Sequence, residues 1–131
     1  MINTAHLSSL PQLTGSQKQI AWASEIRQQF IDLEVETTER INKRINKRVA
    51  KGVDAQVAEI ALRKGHISKI NFELLHSKKL GNLSDNISDD DALKAYDAAL
   101  DYILAVTDAG WWINNRDIDN KWITALEAIT E

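Results

Sequence analysis

The chain has 131 residues, of which 44% are hydrophobic and 27% are charged, and its net charge is −3. This is the length of one domain, and it is enough to bury a substantial hydrophobic core. The lack of cysteine excludes disulfide scaffolds, cysteine-based zinc sites and thiol nucleophiles. No apolar run approaches 18 residues, and no signal peptide precedes residue 15, so we expect a soluble cytoplasmic protein that does not enter a membrane.

Charge is distributed unevenly along the chain. Residues 1–39 carry two basic and five acidic side chains, residues 40–79 carry eleven and three, and residues 80–131 carry three and eleven. The basic middle could face an external polyanion, or it could face the acidic last third of the same chain. The composition leaves both interpretations open.

The periodicity predicts an all-α protein. No segment shows the period-two alternation typical of β-strands, and the residues between the five glycines are helix formers with apolar positions at helical spacing. We therefore predict a bundle of four to five helices with one long N-terminal helix. Residues 1–14 are polar and irregular and predict a loose N-terminal arm, so residues 15–131 would form a single helical domain.

The long N-terminal helix has recognisable ends. Ser16 and Gln19 form a capping-box pattern at its start, and Gly52 is a natural stop. The apolar stripe thins over residues 35–38, where a break or bend is compatible with the pattern. The apolar positions form one drifting stripe: Ile20, Ala23, Ile26, Phe30, Leu33, Ile41, Ile45 and Val49.

A second helical stretch follows over residues 54–80, with Asp54 as its N-cap. Gly65 could end one helix or lie inside a longer one, so the stretch predicts one helix or two. Residues 81–87 read as a loop. The inward positions of its first part are Val57, Ile60 and Ala61.

A third helix is predicted from Ser88, its N-cap. Acidic residues 89–91 would favour the positive end of the helix dipole. Its buried stripe contains Leu93, Tyr96, Leu100, Ile103 and Leu104. A last segment from about Asp119 to Thr130 has Trp122, Ile123, Leu126 and Ile129 on one side.

The residues that could carry catalysis or bind a metal form no complete motif. Glu73 and His76 have the spacing used in di-iron bundles, but such centres need two copies and two further glutamates. Asp97 and Asp101 share a helix face, as carboxylates on solvated helices commonly do. We therefore expect no enzyme, with no catalytic residues, no metal site and no cofactor.

The most specific feature is a cationic stretch, RINKRINKRVAK, in which the tetrapeptide INKR occurs twice. On a helix its basic side chains fall within an arc of about 140° beside an apolar seam. Such a face can bind phosphates or an acidic protein, or it can neutralise acidic residues of the same chain. We define the cationic face as Arg40, Lys43, Arg44, Lys47, Arg48 and Lys51.

Two adjacent tryptophans, Trp111 and Trp112, form the second unusual feature. Neighbours on a helix point about 100° apart, so both cannot easily enter one core. One would be buried and the other would cover a seam, with Arg116 at the rim. Alternatively Trp112 and Arg116 anchor a partner, because Trp and Arg dominate interface hot spots.

Two stretches, LTGSQKQIAWASEIR (residues 13–27) and AGWWINNR (residues 109–116), resemble signatures of small proteins from phages, plasmids and other bacterial mobile elements. The resemblance implies an accessory gene of a mobile element and no particular catalytic residue. Small proteins in that setting include inhibitors of host defence such as anti-CRISPR proteins. We expect Trp22 to pack near Trp111 or Trp112, which would join the two signatures in one core.

These observations predict a non-enzymatic protein that binds a macromolecule. The first hypothesis is an inhibitor of a bacterial defence complex that binds a host protein or ribonucleoprotein through the cationic face. The alternative is a nucleic-acid-binding accessory protein that places the same face on phosphates. The drifting seam of the long helix also permits a homodimer.

Overall fold

The computed structural model describes residues 1–76 and 89–129, and for residues 68–76, 89 and 90 it describes the backbone alone. Six helices lie in these ranges: α1 (Thr4–Ser8), α2 (Gln17–Ala50), α3 (Ala55–His76), α4 (Asp89–Ala105), α5 (Ala109–Asn114) and α6 (Ile118–Ile129). In the described chain, extended pairing is limited to one isolated bridge between Thr14 and Asp108. The predicted all-α fold with a long N-terminal helix is confirmed.

The N-terminal end of α2 is fixed by the predicted capping box. The Gln19 amide donates to Ser16 Oγ at 3.2 Å, and the Ser16 amide donates to Gln19 Oε1 at 3.1 Å. The helix then continues without a break to Ala50, about 51 Å at 1.5 Å per residue. It does not end where the apolar stripe thins, because Glu34 and Thr37 are buried there and keep that face of the helix against the core.

The turn between α2 and α3 follows the sequence prediction closely. Gly52 has a φ of +93°, and the amides of Gly52 and Val53 donate to the carbonyls of Val49 and Arg48. These two bonds are those of a Schellman motif, which favours glycine at this position. Asp54 then caps α3 by accepting from two amides of its first turn. The two helices therefore form a hairpin with a tightly determined turn.

The centre of the fold is a group of aromatic side chains from four helices. The Phe30 ring of α2 lies 6.0 Å from the Trp112 ring of α5 and 5.8 Å from the Trp122 ring of α6, measured between centroids. Trp122 also stacks on Tyr96 of α4 at 5.1 Å. Large aromatic rings bury much apolar area in tilted and offset arrangements. These contacts therefore hold α2, α4, α5 and α6 around one core.

Helix α3 is one helix that runs through Gly65, which decides between the two predicted arrangements. Its predicted inward residues are placed differently. Ala58 and Ile67 are buried, whereas Val57 is 59% exposed, Ile60 is 37% exposed and Ala61 is also exposed. The burial prediction was wrong because the periodicity marked the wrong face of α3: Ala58, about 100° around the helix from Val57, is the residue that is covered.

The first fourteen residues are docked on the bundle, so the prediction of a loose arm was wrong. Ile2 and Leu13 are buried in the core, and Arg27 Nη1 donates to the Pro11 carbonyl at 2.7 Å. Helix α1 lies between them and is capped by Asn3. Two buried apolar residues, one on each side of a short capped helix, thus attach this mainly polar segment to the bundle.

Parts of the prediction lie outside the described residues, namely the loop at 81–87 and the Ser88 cap. The described part of α4 begins at Asp89. Its stripe is confirmed at Tyr96 and at Leu100, Ile103 and Leu104, which are all buried. None of the helices in the described ranges combines the length and the apolar character that crossing a membrane requires.

Candidate interaction surface

The cationic face lies on the last third of α2, beyond most of the buried residues of that helix. All six of its side chains are exposed. The last buried residue of α2 is Ile41, and Ile45 is half-buried. Helix α2 packs against α3, so the face is carried by one helix of a two-helix hairpin.

The cations of this face have no acidic partner among the described residues. Salt bridges to the acidic α4 come from elsewhere: Arg63 of α3 binds Asp97 at 3.0 Å, and His6 lies 2.6 Å from Asp101. Internal pairing of the basic middle with the acidic last third is therefore found at Arg63, whereas among the described residues the cationic face takes no part in it. Within the cationic face, Arg40 Nη2 donates to Thr37 Oγ1 at 3.3 Å.

A cluster of exposed aliphatic side chains occupies the same end of the hairpin. It consists of Val49 at the end of α2, Val53 in the turn, and Val57 and Ile60 on α3, with exposures from 37% to 59%. We call these four residues the hairpin-tip cluster. Val57 and Ile60 are three residues apart and therefore neighbours on the surface of α3, and neighbouring exposed apolar residues can mark an interaction site. The periodicity predicts both to be core residues, so the sequence does not reveal this feature.

Trp112 cannot act as the partner anchor that the sequence suggested. Its side chain is fully buried, and its indole Nε1 donates to the Val106 carbonyl at 3.1 Å. Trp111 is half-buried and lies edge-on to Trp112 at 5.3 Å. The expectation that one tryptophan belongs to the core while the other covers a seam is confirmed. The reason is the short α5, which turns Trp112 toward Phe30.

Arg116 is exposed as predicted, and it contacts a residue that was expected to be buried. Its guanidinium lies over the Trp22 ring, 5.8 Å from the centroid. Trp22 is 48% exposed, so its predicted burial near Trp111 or Trp112 was wrong. Phe30, two turns along α2, takes the place beside Trp112 instead. A tryptophan and an arginine together on an open surface are the residue types most enriched at binding hot spots.

A buried polar pair lies beneath the surface between α2 and α4. Glu34 is 3% exposed, and the Tyr96 hydroxyl donates to its Oε2 at 2.6 Å. Burial raises the pKa of the Glu34 carboxyl, and the hydrogen bond from Tyr96 opposes part of that shift. Burial and the neighbouring carboxylate also raise the pKa of Tyr96. The pair connects two helices, and nothing in its geometry points to catalysis.

The carboxylates considered for catalysis have structural partners. Asp97 binds Arg63, and Asp101 lies beside His6, so each helps to attach another segment to α4. The side chains of Glu73 and His76 lie outside the described residues. Among the side chains that are described, no three potential metal ligands converge.

The two stretches that carry the resemblance, residues 13–27 and 109–116, meet in the structure. The Thr14 amide donates to the Thr107 carbonyl at 2.7 Å, and the Ala109 amide donates to the Thr14 carbonyl at 2.9 Å. This bridge brings the start of α2 against the start of α5, and Arg116 over Trp22 extends the contact. Comparison with protein-family models, curated proteins and solved structures found no match to this chain.

Proposed function

We propose that this chain is a non-enzymatic binding protein of a bacterial mobile element. It inhibits a host defence complex by docking on it with the cationic face of the α2–α3 hairpin. The resemblance of residues 13–27 and 109–116 to mobile-element signatures supports the setting. The exposed cationic face of the hairpin supports inhibition by binding to a partner.

The observation that carries this proposal is the state of the cationic face. Six exposed cations lie on one helix face, and none forms a salt bridge with a described residue. Clustered like charges repel one another and destabilise the compact state. A partner that supplies acidic groups would relieve this repulsion and would be guided to the hairpin by long-range attraction.

The hairpin-tip cluster favours a protein over a bare nucleic acid as the direct partner. Phosphate recognition requires cations and hydrogen-bond donors, and it gains little from exposed valines. A protein interface combines an apolar centre with a charged rim. Val53, Val57 and Ile60 could supply the former and the cationic face the latter.

The alternative function is nucleic-acid binding through the same face, and it is favoured by one specific observation. The cations are alternately three residues and one residue apart along about 16 Å of helix, which keeps them on one face that can contact successive phosphates. In that case affinity would fall steeply as salt rises, because each neutralised phosphate releases counterions.

Affinity capture from bacterial lysate, with and without nuclease, tests the proposal. The bait proteins are the wild type, a Lys43→Glu/Lys47→Glu variant and a matched Lys18→Glu/Lys94→Glu variant. Both variants change the net charge equally, but Lys18 and Lys94 are exposed cations elsewhere. We expect a stoichiometric protein partner that resists nuclease and is retained by the wild type and the Lys18/Lys94 variant, and lost by the Lys43/Lys47 variant.

Two results would count against the proposal. Loss of all co-purifying protein after nuclease treatment would favour the nucleic-acid alternative. Equal capture by both double variants would show that the cationic face does not bind the partner. Far-ultraviolet circular dichroism of both variants checks that the helices remain intact.

A further inference from the structure

The cationic face is the C-terminal half of a longer stripe on α2. Residues at alternating spacings of three and four place their Cα–Cβ bonds on one side of a helix. Eight positions fall within an arc of about 60° on this basis. They are Trp22, Ile26, Gln29 and Leu33 in the first half of the stripe, and Arg40, Arg44, Lys47 and Lys51 in the second. The first half is mainly apolar and the second half is cationic.

A groove follows the first half of this stripe. A concavity of about 190 Å³ begins beside Arg116 and reaches Leu33 and Ile118. A second concavity of about 220 Å³ shares Leu33 and Ile118 and continues to Arg40, so the two form one groove. A third concavity, of about 340 Å³, lies on the exposed side of α2, where Glu36 and Glu39 accompany four cations of the cationic face.

The apolar half of the stripe contains residue types found at binding hot spots. Trp22 is 48% exposed and Leu33 is 40% exposed, although Ile26, which lies between them on the stripe, is buried in the core. Arg116 holds the Trp22 ring from one side through the cation–π contact. A pre-positioned aromatic ring loses little conformational freedom on binding, which favours affinity.

The distribution of charge along the stripe indicates which kind of molecule can bind to it. Two copies of this chain packed in parallel along the stripe would place cations against cations. Packed antiparallel, they would place each cationic half on the apolar half of the other copy. A nucleic acid would contact the cations and leave Trp22 and Leu33 uncovered. An amphipathic helix with an acidic half and an apolar half matches both halves at once.

We infer that the stripe along α2 receives an amphipathic helix of the partner protein, with acidic side chains over Arg40–Lys51 and apolar side chains over Trp22–Leu33. The inference rests on the proposed function and names the partner's contacting element. The stripe from Trp22 to Lys51 is about 44 Å long, so the fitting helix has about 29 residues.

Synthetic helical peptides of this length test the inference. One peptide carries leucine on one face of its N-terminal half and glutamate at the same heptad positions of its C-terminal half. A second peptide reverses the order of the halves, and a third has the same composition with the heptad positions shuffled. Binding to the full chain is measured by fluorescence anisotropy. We expect one of the two patterned peptides to bind at least tenfold more tightly than the shuffled one.

A matched pair of leucine variants locates the binding site. Leu33→Ala and Leu7→Ala each remove a leucine of nearly equal exposure, 40% and 41%, and only Leu33 lies in the groove. We expect Leu33→Ala and Trp22→Ala to weaken binding of the patterned peptide about tenfold and Leu7→Ala to leave it unchanged. Equal effects of the two leucine variants, or no preference for a patterned peptide, would overturn the inference.

The lysate experiment separates this inference from the proposed function. If Lys43→Glu/Lys47→Glu abolishes capture of the partner while Trp22→Ala and Leu33→Ala capture it fully, the proposed function stands and the groove assignment is wrong. If the charge reversal leaves capture intact, the proposed function itself is wrong. Tighter binding of a 30-base-pair DNA duplex than of either patterned peptide would also overturn the inference.

Discussion

At the scale of single residues, Glu34 connects two helices through a hydrogen bond, but burying its carboxyl costs free energy. Its carboxyl is buried between α2 and α4 and accepts one hydrogen bond, from Tyr96. A buried carboxylate loses hydration that a single neutral donor does not restore. The helical pattern around residues 35–38 did not indicate this, because Glu34 reads as an ordinary surface residue beside a thinning stripe.

The raised pKa of Glu34 predicts a pH dependence of stability. The folded state holds the proton at pH values where the unfolded chain has already lost it, so the free energy of unfolding falls as pH rises through that window. Glu34→Gln cannot ionise and keeps an oxygen that accepts from Tyr96. Urea unfolding at several pH values between 4 and 8 should show the variant gaining stability over the wild type as pH rises. A constant difference across this range would contradict the assignment.

The tryptophans predict very different costs on truncation. Trp112 is fully buried, so Trp112→Ala should lower the free energy of unfolding by about 3–5 kcal/mol through loss of burial and creation of a cavity. Trp22 is half exposed and mainly supports Arg116, so Trp22→Ala should cost about 1 kcal/mol. Thermal unfolding of the two variants measures the difference. Equal costs would place Trp22 in the core after all.

At the scale of elements, the ends of α2 and the start of α3 could be predicted because local chemistry determines them. Ser16, Gln19, Gly52 and Asp54 each satisfy backbone groups within a few residues of themselves. The burial of individual side chains was harder to predict than the helix ends, because it depends on which helices pack against each face. Val57 has the sequence neighbours of a core residue, but no third helix layer of the described chain covers it.

Two glycines of the hairpin should respond in opposite directions to alanine. Gly52 has a positive φ, which costs a side chain about 1–2 kcal/mol, so Gly52→Ala should destabilise the protein. Gly65 is helical, and an added Cβ there meets nothing within 4 Å, so Gly65→Ala should stabilise by about 0.4–1 kcal/mol. Denaturant unfolding compares them. Destabilisation by Gly65→Ala would contradict the continuous α3.

At the scale of the whole molecule, the basic side chains divide into two groups. Arg63 and His6 contact acidic residues of α4 and help to hold the bundle together, whereas the six side chains of the cationic face are exposed. Charge counts along the sequence revealed the asymmetry but could not decide between internal and external pairing, because that choice depends on how the helices are arranged. The docking of residues 1–14 on the bundle was not predicted for the same reason. Ile2 and Leu13 pack into a core whose other residues are far from them in the sequence.

The most direct test of the central claim is phage plating on bacterial strains that each carry one defence system, CRISPR systems among them. Each strain expresses the wild type, Lys43→Glu/Lys47→Glu or Lys18→Glu/Lys94→Glu at equal levels. We predict that in at least one strain the wild type and the Lys18/Lys94 variant restore plating to that of a strain without the system, and the Lys43/Lys47 variant does not. Restoration by the Lys43/Lys47 variant as well, or no restoration in any strain, would contradict the account.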